Sequence, residues 1–426
     1  MSTVEDVGPY IRAELGQDAL GPRGHPLLPG GAGRSTFAVG GAAPTAVAGD
    51  GWRLRDDQGR EVIDLNNNFA ALIHGHAHPA VVAAATRAVR AGASFGLPND
   101  SELRHAHALV ARLPGVDQVR YTNSGTEAVM TALRVARAHT GRDACAFVHR
   151  AYHGTSDPAL ATGGRASVRG VPAGVLGDIV TLPINDPQTL ADTLTAAPER
   201  FAALVLDFLP NRAGLIPLTP DYVARAVALC REHGILLIAD EVISLRLRLR
   251  GLAADYGVVP DLVVLGKLIG GGHPVGAVAG PAAVMGELDP STEHGLEHGG
   301  TFSANPVTME AGLATLELLD EPAIDRLNAL GDNARMALAA KVAPLGWEVR
   351  GTGSMIRLDP AALPDPPALA RALWWEAYDR GVLLVPNGLA TLSTPMDEGV
   401  VTVAVERVAA AVAAVTRSCA RAPAGS

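Results

Sequence analysis

The sequence predicts an α/β fold built on a mostly parallel sheet, and three observations carry that prediction. Short apolar runs recur through the middle of the chain: VRYT (119–122), CAFVH (145–149), DIVTL (178–182), AALVL (202–206), ILLIA (235–239), LVVL (262–265) and VGAVAG (275–280). Stretches with helical spacing separate most of them; Val129, Leu133 and Ala136 recur within 126–139, and Val223, Ala226 and Cys230 within 219–233. Strands alternating with helices imply crossover connections, which set strands parallel and cover the sheet. At 426 residues the chain can also bury a large core and carry more than one domain.

The elements follow in order. About the first 45 residues are rich in Gly, Ala and Pro and read as irregular. WRLRDDQGREVIDL then reads as a hairpin, two short strands around a Gly-containing turn. The strand–helix alternation begins near residue 80. After residue 320 helices dominate, with short strands such as LLVP (383–386). The expected division is a segment and hairpin over 1–70 that joins a small domain, a large domain over 71–320, and the rest of the small domain over 321–426. The run VVTVAVERVAAAVAAV is interrupted by Glu406 and Arg407 and falls short of the roughly 20 apolar residues of a membrane span, so it is expected to pack on the body of the protein.

Composition excludes several classes. The net charge is −9, and no Lys/Arg cluster interleaves with aromatics, so nucleic acid is not an expected partner. Cys145, Cys230 and Cys419 form no CxxC pair, so neither a zinc site nor a disulfide framework is expected. The opening MSTVEDVGPY has no basic stretch leading into an apolar one, which makes a reducing cytoplasm the expected location.

In open α/β sheets, ligands gather beyond the carboxyl ends of the strands. VRYT is followed by NSGTEA, CAFVH by RAYHG, ILLIA by DEV and LVVL by GKLIGGG. Ser124, Gly125 and Thr126 open a helix, where they serve either as a plain cap or as an anion site. Tyr152 is either an ordinary tyrosine or a surface on which a planar ring stacks. Asp240, placed after four apolar residues, needs a partner; a cap, an ion pair or a protonated ring nitrogen each supply one. Lys267 follows a buried strand, where desolvation lowers an amine's pKa and makes it a usable nucleophile, unless it sits in an ordinary solvated turn. The glycines at 270–272 are expected to turn the chain and leave room for a ligand. GKLIGGG matches neither GxxxxGK[ST] nor GxGxxG. A phosphate site, a stacking ring, a carboxylate and a nucleophilic lysine together describe one cofactor, pyridoxal phosphate.

The chain resembles the class III, fold-type I aminotransferases over roughly residues 25–400, in particular the branch of glutamate-1-semialdehyde aminomutase and the β-amino-acid (β-phenylalanine) aminotransferases. The motifs that carry the resemblance are PGGAGRS (29–35), IHGHAHP (73–79), RYTNSGTEA (120–128), AYHG (151–154), LLIADEV (236–242), DLVVLGKLIGGGHPVGA (261–277) and GGTFSANP (299–306). The resemblance implies that Lys267 is the Schiff-base lysine and that Asp240 partners the pyridine nitrogen. Ser124, Gly125 and Thr126 would hold the phosphate, with Tyr152 on one face of the ring and Val242 on the other. Thr301 would reach the phosphate of the neighbouring subunit, in a homodimer with shared active sites. Arg34 would receive a substrate carboxylate. The implied activity is amino-group transfer between a small-molecule donor and a carbonyl acceptor; an aminomutase or a racemase needs the same residues.

Three departures from the family pattern stand out. His273 replaces a methionine after the glycines, where it could touch substrate. Asp207 and Phe208 stand where Glu and Pro are expected. GVLLVPNGLATLS (381–393) has Asn387 near the place of a second carboxylate-binding arginine, so 2-oxoglutarate is not secured as the acceptor. HGHAH (74–78) alternates histidines, but no Cys, Asp or Glu cluster accompanies them, and the family uses GHxHP as a turn before a helix. No metal is expected.

Overall fold

The computed structural model describes residues 27–37, 39, 43–163, 167–360 and 362–421. Most of the irregular N-terminal stretch and the Cys419 side chain lie outside those residues.

The chain first forms β1 (Ala46–Asp50), β2 (Arg53–Asp56) and β3 (Glu61–Asp64), then α1 (Pro79–Ala91) and α2 (Asp100–Arg112). The alternating part follows: β4 (Gln118–Thr122), α3 (Gly125–Thr140), β5 (Ala144–Val148), β6 (Ile179–Leu182), α4 (Pro187–Ala196), β7 (Phe201–Leu206), α5 (Pro220–His233), β8 (Leu236–Asp240), β9 (Leu262–Gly266) and β10 (Gly276–Gly280). The remainder is α6 (Pro306–Leu318), α7 (Glu321–Val342), β11 (Glu348–Thr352), β12 (Met355–Asp359), α8 (Pro366–Asp379), β13 (Val382–Leu383), β14 (Leu389–Thr391) and α9 (Glu398–Arg421). The predicted hairpin is β2–β3, and β13 pairs with β3 in parallel, tying the two ends of the chain into one sheet.

The central sheet has seven strands in the order β4-β10-β9-β8-β7-β5-β6. The pairs from β6 to β9 are all parallel, and β10 runs antiparallel to both of its neighbours. The link from β9 to β10 is too short for a crossover, so the chain must double back. β10 starts on Gly276 because a Cβ there would lie 2.0 Å from the Ser124 carbonyl oxygen.

Alternation along the strands builds the two buried layers. Ala203, Val205, Leu236 and Ile238 face α3, against Val129, Ala132, Leu133 and Ala136. Leu204, Leu206, Leu237 and Ala239 face the opposite side, against Leu190, Leu194, Val223 and Ala226. With both faces covered, the polar residues of β5, β7, β8 and β9 collect at their carboxyl ends.

The segment Glu398–Ser418 is long and apolar enough, by composition, to cross a membrane. Val401, Ala404, Val405, Val408, Ala411, Val412 and Val415 form one buried stripe, on which the helix packs against α7 and α8, while Val403 is exposed. Helical spacing of one buried apolar face accounts for much of that composition.

Two buried histidines make the fold acid-sensitive. His105 has one ring nitrogen 2.7 Å from the Tyr121 hydroxyl and the other 2.7 Å from the Ile269 carbonyl, in the turn that carries Lys267. His74 bonds Thr394 and the Thr315 carbonyl. Burial pushes both imidazoles down to about 4 from 6.5. The folded chain therefore binds fewer protons than the unfolded chain between those values. Its stability is complete above about pH 6.5 and falls as the pH drops toward 4. The expected result is a lower melting temperature at about pH 5 than at about pH 7.5, with a smaller difference in His105→Gln. Equal differences in the two proteins would remove His105 from this account.

Candidate active site

Four strand ends and one helix N-terminus meet at a cavity of about 270 Å³. Its walls include Ser124, Gly125, Thr126, Tyr152, His153, Asp207, Asp240, Val242, Lys267 and His273. Eight of the ten sequence-predicted site residues are thus brought together; Thr301 and Arg34 are not.

The anion end is the start of α3. Ser124 caps the helix, its hydroxyl accepting from Glu127 N at 3.2 Å, while Glu127 Oε2 accepts from Asn123 N at 2.7 Å. The plain-cap reading is therefore correct, and it leaves the anion reading open. The cap satisfies the Glu127 N–H, whereas those of Gly125 and Thr126 have no partner within the helix. Gly125 keeps the wall flush, since a Cβ there would lie 3.2 Å from Val242. A Cβ on Gly154, whose φ is +99°, would lie 2.5 Å from Thr126 Oγ1.

The carboxylate end is Asp240, buried at the tip of β8. Its Oδ2 lies 2.6 Å from His153 Nδ1 and its Oδ1 accepts from Val242 N at 3.1 Å. His153 is fully enclosed, and its other ring nitrogen, Nε2, has no hydrogen-bond partner. Sequence reasoning missed His153, although it lies next to Tyr152 in AYHG. Beyond β7, Asp207 Oδ1 accepts from Leu209 N at 2.9 Å, and Phe208 is buried, so the DFLP departure is accommodated without a break. Burial, with Asp240 nearby, pushes the Asp207 carboxyl up to about 7, against the pull of His153. Tyr152 carries the Arg212 guanidinium 4.0 Å from its ring centroid.

Lys267 follows β9 directly. Burial lowers its pKa, while the charges of Asp240 and Asp207 oppose the shift. Its φ is +50°, a left-handed conformation that costs a non-glycine residue energy and is held by the surrounding fold. The glycine prediction needs correction here. Gly270, Gly271 and Gly272 do not line this cavity. A Cβ on Gly271 would lie 2.4 Å from the Ala311 carbonyl oxygen, and one on Gly270 2.6 Å from Val275. The glycines make room for α6 and for the returning chain rather than for a ligand.

His273 lines this cavity and also a neighbouring apolar groove of about 500 Å³ that includes Leu72, Val82 and Val89. Thr301 is exposed and lines a separate cavity with Phe95, Leu97 and Asn305. Arg34 is exposed and bonds Asn68 Oδ1 at 3.0 Å. Two of the three HGHAH histidines turn to other partners, His74 as above and His76 to Asp64 at 2.7 Å, while His78 Nδ1 has no hydrogen-bond partner. Among the described residues no group of three or more His, Cys, Asp or Glu could hold a metal ion.

A buried amine, a carboxylate backed by a histidine, an aromatic wall and free helix N–H groups, around a slot kept narrow by Gly125, fit pyridoxal phosphate. The fold and the cavity are those of a pyridoxal-phosphate enzyme of fold type I. Residues 39–397 match the class-III aminotransferase family, and the chain belongs to it. It is 39% identical to a glutamate-1-semialdehyde 2,1-aminomutase from Thermomicrobium roseum, across 76% of this chain and 78% of that one. An omega-transaminase from Sphaerobacter thermophilus superposes with a TM-score of 0.89 at 36% identity, covering 95% of this chain and 99% of that one. A transaminase solved with pyridoxal phosphate bound gives 0.88 at 35%, covering 98% and 99%. A β-phenylalanine aminotransferase from Variovorax paradoxus gives 0.84 at 29%, covering 96% and 95%. The protein is a pyridoxal-phosphate-dependent enzyme.

Proposed function

We propose that the protein moves an amino group from an amino acid or amine, β-amino acids included, to a keto acid or aldehyde, in two half-reactions at Lys267. The convergence of Lys267, the Asp240–His153 pair and the α3 N-terminus on one cavity carries this reading. When bound, pyridoxal phosphate supplies an aldehyde to take up the amino group and a ring to accept electrons from the substrate. Lys267 Nζ attaches the cofactor and, once released, takes the substrate Cα proton; its lowered pKa favours the neutral amine that this step needs. Asp240, held by His153, supplies the negative charge that keeps the ring nitrogen protonated. The Gly125 and Thr126 N–H groups, with Ser124, hold the phosphate. Tyr152 and Val242 flank the ring, Arg34 takes the substrate carboxylate, and His273 meets substrate at the edge of the cavity.

The assembly belonging to this reading is a homodimer in which Thr301 reaches the phosphate of the neighbouring subunit. Phe95, Leu97 and Phe302, all exposed beside Thr301, give that face its apolar character. The assignment of 71–320 to a large cofactor domain, of 1–70 and 321–426 to a small one, and of the protein to the cytoplasm with small-molecule partners alone, is part of the same proposal.

A second reading is an aminomutase, which moves the amino group within one molecule. The Thermomicrobium relative supports it, as does the absence of an arginine near Asn387. Steady-state kinetics separate the two. Transfer predicts parallel double-reciprocal lines with a donor and an acceptor varied together. Turnover of glutamate-1-semialdehyde alone, with no acceptor requirement, would replace transfer by the aminomutase reading.

A further inference from the structure

Asn67, Asn68, Phe69 and Ala70 have φ of 46°, 49°, 58° and 70°. Four consecutive non-glycine residues in the left-handed region form a strained turn, which persists only where neighbours over-determine it. The neighbours are present. Asp64 Oδ1 accepts from Asn66 N at 2.7 Å and from Asn67 N at 2.9 Å. Asn66 Oδ1 accepts from Phe69 N at 2.7 Å, and Asn67 Nδ2 donates to the Thr391 carbonyl at 2.7 Å. Arg246, fully buried, donates to the Ala70 carbonyl at 3.3 Å and also to Ser354 and the Leu392 carbonyl.

This scaffold presents the side chains of Asn68 and Phe69 to Arg34. Asn68 Oδ1 accepts from Arg34 Nη1, and the guanidinium carbon lies 5.4 Å from the ring centroids of both Phe37 and Phe69. Phe37 and Phe69 meet edge-on at 6.0 Å. The acceptor is neutral, and among the described residues no carboxylate pairs with Arg34, so its charge is oriented but not cancelled. None of the turn's residues lines the cofactor cavity, but the turn shares a hydrophobic cluster with one of its walls. Phe69 packs on the cluster that includes Phe208 and Val385, as does Ile243, a wall of that cavity. Leu72 lies against Gly272 in the Lys267 loop.

We infer that the left-handed turn Asn67–Ala70 is a substrate-positioning element: Asn68 and Phe69 fix Arg34 so that its remaining N–H groups receive the substrate carboxylate, and they thereby select carboxylated donors over plain amines. The inference rests on the role proposed for Arg34.

The test measures kcat and KM for β-phenylalanine and for 1-phenylethylamine, the same amine without its carboxylate. The proteins are wild type, Arg34→Ala, Asn68→Ala, Asn68→Gly and Phe69→Leu. Both Asn68 variants are expected to raise KM for β-phenylalanine about ten-fold, with kcat within about two-fold and the amine's KM unchanged. Phe69→Leu moves the same way by a smaller factor. Asn68→Gly relieves the backbone strain, so wild-type behaviour in that variant would mean that only the backbone matters, and would overturn the inference. A KM rise in Arg34→Ala without one in the Asn68 variants also overturns it, and leaves the Arg34 reading standing. Wild-type KM in Arg34→Ala, or no carboxylate preference in the wild type, overturns both.

Discussion

Lys267→Ala is expected to lose covalent attachment of pyridoxal phosphate and to lower turnover by at least about 10³-fold. In the proposed mechanism two separate jobs fall on the one amine: it carries the cofactor between turnovers, and it moves the Cα proton during them. No other side-chain amine is at hand to attach the cofactor. Lys267 and Lys341 are the only lysines in the sequence, and Lys341 sits on α7, paired with Glu406 at 2.8 Å. The residues proposed to hold the phosphate and the ring are unchanged in the variant, so it should still bind the cofactor non-covalently. Visible absorbance after gel filtration, with single-turnover rates, checks both halves. Retained covalent cofactor with retained turnover would remove Lys267 from the mechanism.

Asp240→Asn is expected to lower the rate of Cα proton removal by roughly 10²–10⁴-fold while the cofactor still binds. An amide of nearly the same shape fills the same space, so packing is preserved. What the proposed mechanism loses is the negative charge assigned to the ring nitrogen, and with it the ring's capacity to accept electrons. His153, which is fully enclosed, loses its anionic partner in the same step. His153→Asn leaves the carboxylate in place but unsupported, so its rate should fall between those of wild type and Asp240→Asn. A rate in Asp240→Asn within about two-fold of wild type would place the ring's electron sink elsewhere.

The parallel part of the fold was legible because its strands are buried on both faces and read as apolar runs between helical spacings. The site was legible for a related reason: with four strand ends at one edge, Ser124, Tyr152, Asp240 and Lys267 could be placed together from strand order alone. What could not be read depends on long-range packing. The glycines at 270–272 looked like space for a ligand, yet Gly271 accommodates α6, a distant element, and Gly270 the returning chain. Lys267 itself takes a left-handed conformation that no residue preference announces. His153 is recognisable only once β8 brings Asp240 against it. The turn at Asn67–Ala70 reads as the end of a run of three asparagines and gives no sign that residues near 246 and 391 hold it.

The most direct test of the central claim, that the cofactor is held on Lys267 in this cavity, is reductive trapping. The protein loaded with pyridoxal phosphate is treated with borohydride and digested, and the pyridoxyl mass is located by mass spectrometry. The mass is expected on the peptide that contains Lys267 and not on the peptide that contains Lys341. Label on Lys341, or bound cofactor that labels neither lysine, would contradict the account.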